Sequence, residues 1–139
     1  MNTRMVLTAV AFSLGVAGCV STPPAPKEES SRCDGPVCHV VVTVTDCTIS
    51  LMPSDIDVFG HNVQIHWDIS SSGYTFPADG IVIKDSYPQG EFSDPRSPNP
   101  TKFIWNDKNS FAKTYAYGVK VMRGSTACPP LDPGIINHG

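Results

Sequence analysis

Asn62-Val-Gln-Ile-His-Trp-Asp-Ile69 alternates polar and apolar residues without a break. Successive side chains of a strand point to opposite faces, so Val63, Ile65, Trp67 and Ile69 are predicted to face a core while Asn62, Gln64, His66 and Asp68 face out. Upstream, His39-Val-Val-Val-Thr-Val-Thr45 is rich in β-branched residues and reads as a second strand, with Val40, Val42 and Val44 on one face. Downstream, Tyr74-Thr-Phe76 and Ile81-Val-Ile83 flank the turn residues Pro77-Ala-Asp-Gly80. Phe103-Ile-Trp105 and the stretch from Thr114 to Met122 flank a polar turn around Asn106-Asp-Lys-Asn109, and Tyr115, Tyr117, Val119 and Val121 share one face.

Between these strands, Ser86 to Lys102 holds four prolines and little apolar content, which predicts a long surface loop. The tail Pro129-Pro-Leu-Asp-Pro-Gly134 cannot be regular, and Ile135-Ile136 is expected to cover an edge. No amphipathic helix and no internal repeat are visible beyond the N-terminal segment. About five to seven short strands at turn-rich spacing predict an all-β, antiparallel Greek-key sandwich over residues 33–139. Trp67, Trp105, Tyr115 and Tyr117 are expected in or near its core rather than on a carbohydrate platform.

Composition agrees. The chain has 139 residues, enough for one domain, and its thirteen prolines and eleven glycines disfavour long helices. A net charge of −3 gives no electrostatic case for nucleic-acid binding.

The N-terminus reads as an address. Arg4 supplies a positive start, and Met5 to Val16 is an uncharged, mostly apolar stretch of twelve residues, too short to span a bilayer core. Val16-Ala17-Gly18-Cys19 follows and resembles the lipobox of bacterial lipoproteins, an aliphatic residue, a small one, Gly or Ala, then Cys. The resemblance implies a signal peptide over 1–18, cleavage before Cys19, a diacylglyceryl group on the Cys19 sulfur and acylation of the freed amino group. The partner it implies is a membrane, held through N-terminal acyl chains; two or more chains anchor stably where one does not. Val20, being other than Asp, implies the outer membrane. Residues 19–32 then form the lipidated cysteine and a disordered tether, STPPAPKEESSR in its main part, reaching at most about 40 Å.

Five cysteines are an odd number for an exported chain, but lipidation of Cys19 leaves Cys33, Cys38, Cys47 and Cys128. In an oxidising compartment these predict two disulfides, for which three connectivities exist. Cys33–Cys38 and Cys47–Cys128 are preferred, because Asp34-Gly-Pro-Val37 can close a small ring and the second bridge ties the start of the domain to its end. No spacing is C-x-x-C, which speaks against a zinc site.

Three segments also resemble the cupredoxin-like sandwich: the Asn62–Ile69 strand, Tyr74-Thr-Phe-Pro77 and Thr114-Tyr-Ala-Tyr-Gly-Val-Lys-Val121. The resemblance implies a cupredoxin-like fold, to which an immunoglobulin-like sandwich is the alternative. It does not carry electron transfer, since the family places a Cys at the end of the Y-x-Y strand followed by His and Met. Here the strand continues as Gly118-Val-Lys-Val-Met122, and no His separates Met122 from Cys128.

No nucleophile elbow, zinc-protease motif, P-loop or dinucleotide fingerprint is present. Asp55 and Asp57 share a face if extended, yet a turn or solvated role accounts for them without chemistry. His66 with Asp68, two apart on an outward strand face, is the candidate cation-binding pair, with His61 or Met122 as supplementary ligands; an ordinary polar strand face is the plainer reading. His39, His61 and His138 stand at no ligand-like spacing from His66. The expectation is a non-enzymatic binding or structural module, lipid-anchored in the cell envelope, without a cofactor, meeting a protein or glycan partner. The alternative is a periplasmic metal-binding protein derived from a cupredoxin.

Overall fold

The structure, a computed structural model, describes residues 31–139. The signal peptide, the lipobox with Cys19 and nearly all of the tether lie outside the described residues; Arg32, assigned by sequence to the tether, stands in the first strand. In chain order the strands are β1 (Arg32–Cys33), β2 (Val37–Thr45), β3 (Thr48–Met52), β4 (Ile56–Val58), β5 (Val63–Ile69) and β6 (Ile81–Ile83). They continue as β7 (Phe92–Asn99), β8 (Lys102–Asp107), β9 (Lys113–Val119), β10 (Met122–Arg123), β11 (Thr126–Ala127) and β12 (Gly134–Asn137).

Two five-stranded sheets, ordered β3-β2-β5-β8-β7 and β1-β4-β12-β9-β6, form an all-β sandwich of the Greek-key kind, with β10-β11 a small hairpin beside it. Their inner faces supply one core. From one sheet come Val40, Val42, Ile65, Trp67, Phe103 and Trp105; from the other Ile56, Ile81, Tyr115, Tyr117 and Ile135. Two indole N–H groups cross the core and find acceptors, Trp67 Nε1 to Tyr117 Oη at 3.2 Å and Trp105 Nε1 to the Ile81 carbonyl at 3.1 Å. The aromatics expected inside are therefore inside, and their polar atoms are satisfied there.

Not every ladder is antiparallel. β2 runs parallel to β5, and β4 runs parallel to both β1 and β12. Between β2 and β5 the chain turns into β3 and then visits the opposite sheet as β4, so it can return to β2 in the same direction. A hairpin would have forced antiparallel pairing; an excursion of this length does not. The β2–β3 hairpin itself turns at Asp46 and Cys47, both at positive φ (47° and 62°), the pattern of a type I′ turn.

The expected loop between Ser86 and Lys102 is half strand. β7 pairs with β8 despite Pro95 and Pro98, with register shifts on either side of Arg96. Proline lacks an N–H, but β7 is the sheet's edge and one of its sides needs no donor. Ile135-Ile136 does not cover an edge: β12 lies inside its sheet, antiparallel to β9 and parallel to β4. Tyr74–Phe76 is not a strand, though Thr75 bridges Met122 and both aromatics are buried. β3 and β4, of five and three residues, are not among the strands that the sequence predicts.

Candidate functional site

The outer face of the β3-β2-β5-β8-β7 sheet concentrates exposed chemistry. Because Cys38, Val40 and Val42 point inward on β2, His39 and Val41 point outward; on β5, Gln64, His66 and Asp68 do the same. The parallel register sets His39 opposite His66 and Val41 opposite Asp68, and the antiparallel register sets Asp68 opposite Lys102. His66 is thus the centre of a row running from His39 to Ile104.

The two imidazoles meet edge to face, with ring centroids 5.3 Å apart and planes at 79°. His66 Nε2 lies 3.1 Å from Gln64 Oε1; an amide oxygen only accepts, so this geometry puts the proton on Nε2 and leaves a lone pair on Nδ1. His39 Nδ1 stands 3.9 Å from Asp68 Oδ2, and its side chain is 66% exposed. Lys102 Nζ donates to both Asp68 oxygens, at 2.9 and 3.0 Å. Partial burial holds the His66 pKa below 6.5, helped by the positive charges of Lys102 and of protonated His39, while Asp68 opposes. His66 is accordingly a neutral base at neutral pH.

Sequence reasoning paired His66 with Asp68 and missed His39. The signal was non-local: only the parallel pairing of β2 with β5 makes the two histidines neighbours. The supplementary residues are elsewhere. His61 Nδ1 lies 2.9 Å from the Asn109 carbonyl, and Met122 sits in the β10–β11 hairpin. Asp55 accepts from the Gly134 N–H at 2.8 Å. Asp57 accepts from Ser31 Oγ at 2.7 Å and lies 3.2 Å from His138 Nε2, contacts that hold its carboxyl below the usual range against the effect of burial. Among the described residues, no three of His, Cys, Asp and Glu form a group that could hold one metal ion.

A second polar cluster is sealed inside one end of the sandwich. Asp107, the last inward position of β8, is fully buried beside Glu91, Asn109 and Asn137. Asn137 Nδ2 bridges Glu91 Oε1 and Asp107 Oδ1 at 3.2 and 3.0 Å, and Asp107 Oδ1 also accepts from the Asn109 N–H at 2.9 Å. Glu91 further accepts from the N–H and hydroxyl of Ser110. Among the described residues, Asp107 Oδ2, Asn137 Oδ1 and Tyr115 Oη find no hydrogen-bond partner. Burial, above all, pushes the Asp107 pKa up to about 6, with the neighbouring Glu91 charge adding to it. Glu91, Asp107, Asn109 and Asn137 are all buried, so the cluster bears first on stability.

The disulfides are Cys33–Cys38 and Cys47–Cys128, with Cα atoms 5.6 and 4.9 Å apart. Cys128 is therefore no free thiolate, and a type 1 copper site cannot be built on it. No protein-family model matches the chain, and no curated protein resembles it closely enough to be called a relative.

Proposed function

We propose that this protein is a lipid-anchored, non-catalytic binding or structural module of the bacterial cell envelope, held at the outer membrane by acyl chains on Cys19. The observation that carries this reading is the cysteine pairing. Both bridges form within the sandwich and use every cysteine after Cys19, which leaves the lipobox cysteine as the one outside them. Disulfides of this kind persist in an oxidising compartment, and an exported chain is the kind that carries both them and a lipobox. The rigid sandwich then offers its outer sheet face and loops to a protein or glycan, at the end of a proline-rich spacer.

Cys19→Ala tests the anchor. The variant should lose incorporation of a fatty-acid probe and move from the membrane to the soluble fraction, while the wild-type chain labels and sediments. A variant that still labels and sediments contradicts the reading. Cross-linking in intact cells, followed by purification of the wild-type chain, should recover a discrete envelope component; recovery of the uncross-linked chain alone would contradict the binding role.

A further inference from the structure

We propose that the segment joining β8 to β9, Lys108-Asn-Ser-Phe-Ala-Lys113, docks on a bilayer surface that carries anionic phospholipid, with Phe111 entering the headgroup layer between two lysines. The inference rests on the proposed acyl anchor, which brings a bilayer within reach. Phe111 is 52% exposed; the other large apolar side chains left open among the described residues are Val41 and Met52, both aliphatic.

The segment is held from beneath. Asn109, buried and at positive φ (48°), donates to the Val58 and Gly60 carbonyls at 3.1 and 2.9 Å and accepts from the Gly139 N–H at 3.1 Å. Ser110 gives its N–H and its hydroxyl to the buried Glu91 carboxylate. The two residues before Phe111 are thus fixed by buried polar groups, and a surface presented this way loses little ordering entropy on docking.

Its charges are free for a partner. Lys84, Lys102 and Lys120 each sit on an aspartate. Lys108 and Lys113, the two lysines that flank Phe111, do not: Lys113 Nζ donates to the Ser86 carbonyl and lies over the Tyr115 ring, and the Lys108 ammonium has no partner among the described residues. Carboxylates at the same end of the sandwich are already engaged, Asp34 by Arg32, Asp57 by Ser31 and His138, and Glu91 by Ser110 and Asn137. An apolar ring between unneutralised ammonium groups suits an interface that is anionic outside and apolar beneath.

The place agrees with the anchor. Gly139 bonds Asn109, the adjacent His138 pairs with Asp57, and Asp57 holds Ser31, the first described residue after the main part of the tether. Two lysines and one phenylalanine bind weakly by themselves, but a tether keeps them at high effective concentration beside the surface.

The test uses the full acylated chain, purified in detergent and reconstituted into vesicles of phosphatidylcholine alone or of phosphatidylcholine with phosphatidylglycerol. Phe111→Trp supplies the probe, since Trp67 and Trp105 are buried. With phosphatidylglycerol its emission should move to shorter wavelength and be quenched by brominated acyl chains; with phosphatidylcholine alone it should do neither. Added salt should reverse the change. Lys108→Ala in that chain should lower the ratio of docked to free segment about fivefold, the weight of one lysine at an anionic surface, whereas Lys120→Ala should leave it unchanged. In the unaltered chain, deuterium exchange at the Phe111 and Ala112 amides should slow only with phosphatidylglycerol, which holds whether or not a variant folds. The intact mass of the same preparation reports the acyl chains, so a missing anchor is told apart from an undocked segment. Emission and exchange that are unmoved by phosphatidylglycerol, or equal on both kinds of vesicle, overturn the proposal. So does a photo-cross-linking residue at position 111 that captures a discrete protein rather than lipid in intact cells.

Discussion

Asp107 is the residue at which folding and ionisation conflict most. It lies at an inward strand position that a hydrophobic residue would ordinarily fill, with one carboxylate oxygen unpartnered and Glu91 close by. Its folded pKa of about 6 stands above the ordinary aspartate value, so between the two the folded chain binds more protons than the unfolded one. Stability therefore falls as pH rises through that window, and the penalty is fully present above it. Two units correspond to about 3 kcal/mol. Asp107→Asn keeps an acceptor for Asn109 and Asn137 while removing the charge. Urea unfolding from pH 4 to pH 8, with disulfides intact, should show the variant gaining on the wild type as pH rises, by a few kcal/mol at pH 7. His66 and Asp57, whose pKa values are lowered, act in the opposite sense in both proteins: each loses stability as pH falls toward its unfolded value and below. The difference between variant and wild type therefore isolates Asp107. A constant difference across the range would contradict the assignment.

At the level of elements, the two bridges do unequal work. Cys47–Cys128 closes a loop of 81 residues and joins the β2–β3 turn to the segment after β11, whereas Cys33–Cys38 spans 5. In the chain-entropy model these are worth about 4–5 and about 2 kcal/mol. Replacing both partners of the long bridge by Ser should thus lower stability by roughly twice as much as the same replacement at the short one, measured by thermal or denaturant unfolding. Equal losses would show that residual structure or native strain, rather than loop closure, decides the cost. Cys47 has a further role, because it occupies positive φ in a two-residue turn where glycine is usual, and its N–H is held by Tyr74 Oη at 3.3 Å.

The elements also divide by how legible they were. β2 and β5 alternate strictly in burial and were readable, since one face of each is buried and register is then enforced by side-chain burial, while β8 was readable from its Phe103-Ile-Trp105 run. The inward aromatics were readable for the same local reason, and the disulfides from the cysteine count and the small ring that Asp34-Gly-Pro-Val37 can close. β7 was hidden by Pro95 and Pro98, which mark loops in most contexts and are tolerated here only because the strand is an edge. β12 read as the cover of an edge, and its place between β4 and β9 depends on partners far away in sequence. The site divided in the same way. His66 and Asp68 share a strand and were found together; His39 needed the ladder, and the Glu91–Asp107–Asn137 cluster needed three separate segments to converge.

For the whole molecule, the sandwich and its two disulfides are compatible with the proposed export of the chain. A domain of this size gains much from disulfides, which persist mostly in oxidising compartments. The most direct measurement is the intact mass and N-terminal peptide of the chain purified from membranes of a bacterium expressing it. The account predicts a mature chain that begins at Cys19 and carries a diacylglyceryl group on sulfur together with an amide-linked acyl chain. A chain that retains residues 1–18, or begins at an unmodified Cys19, would contradict it.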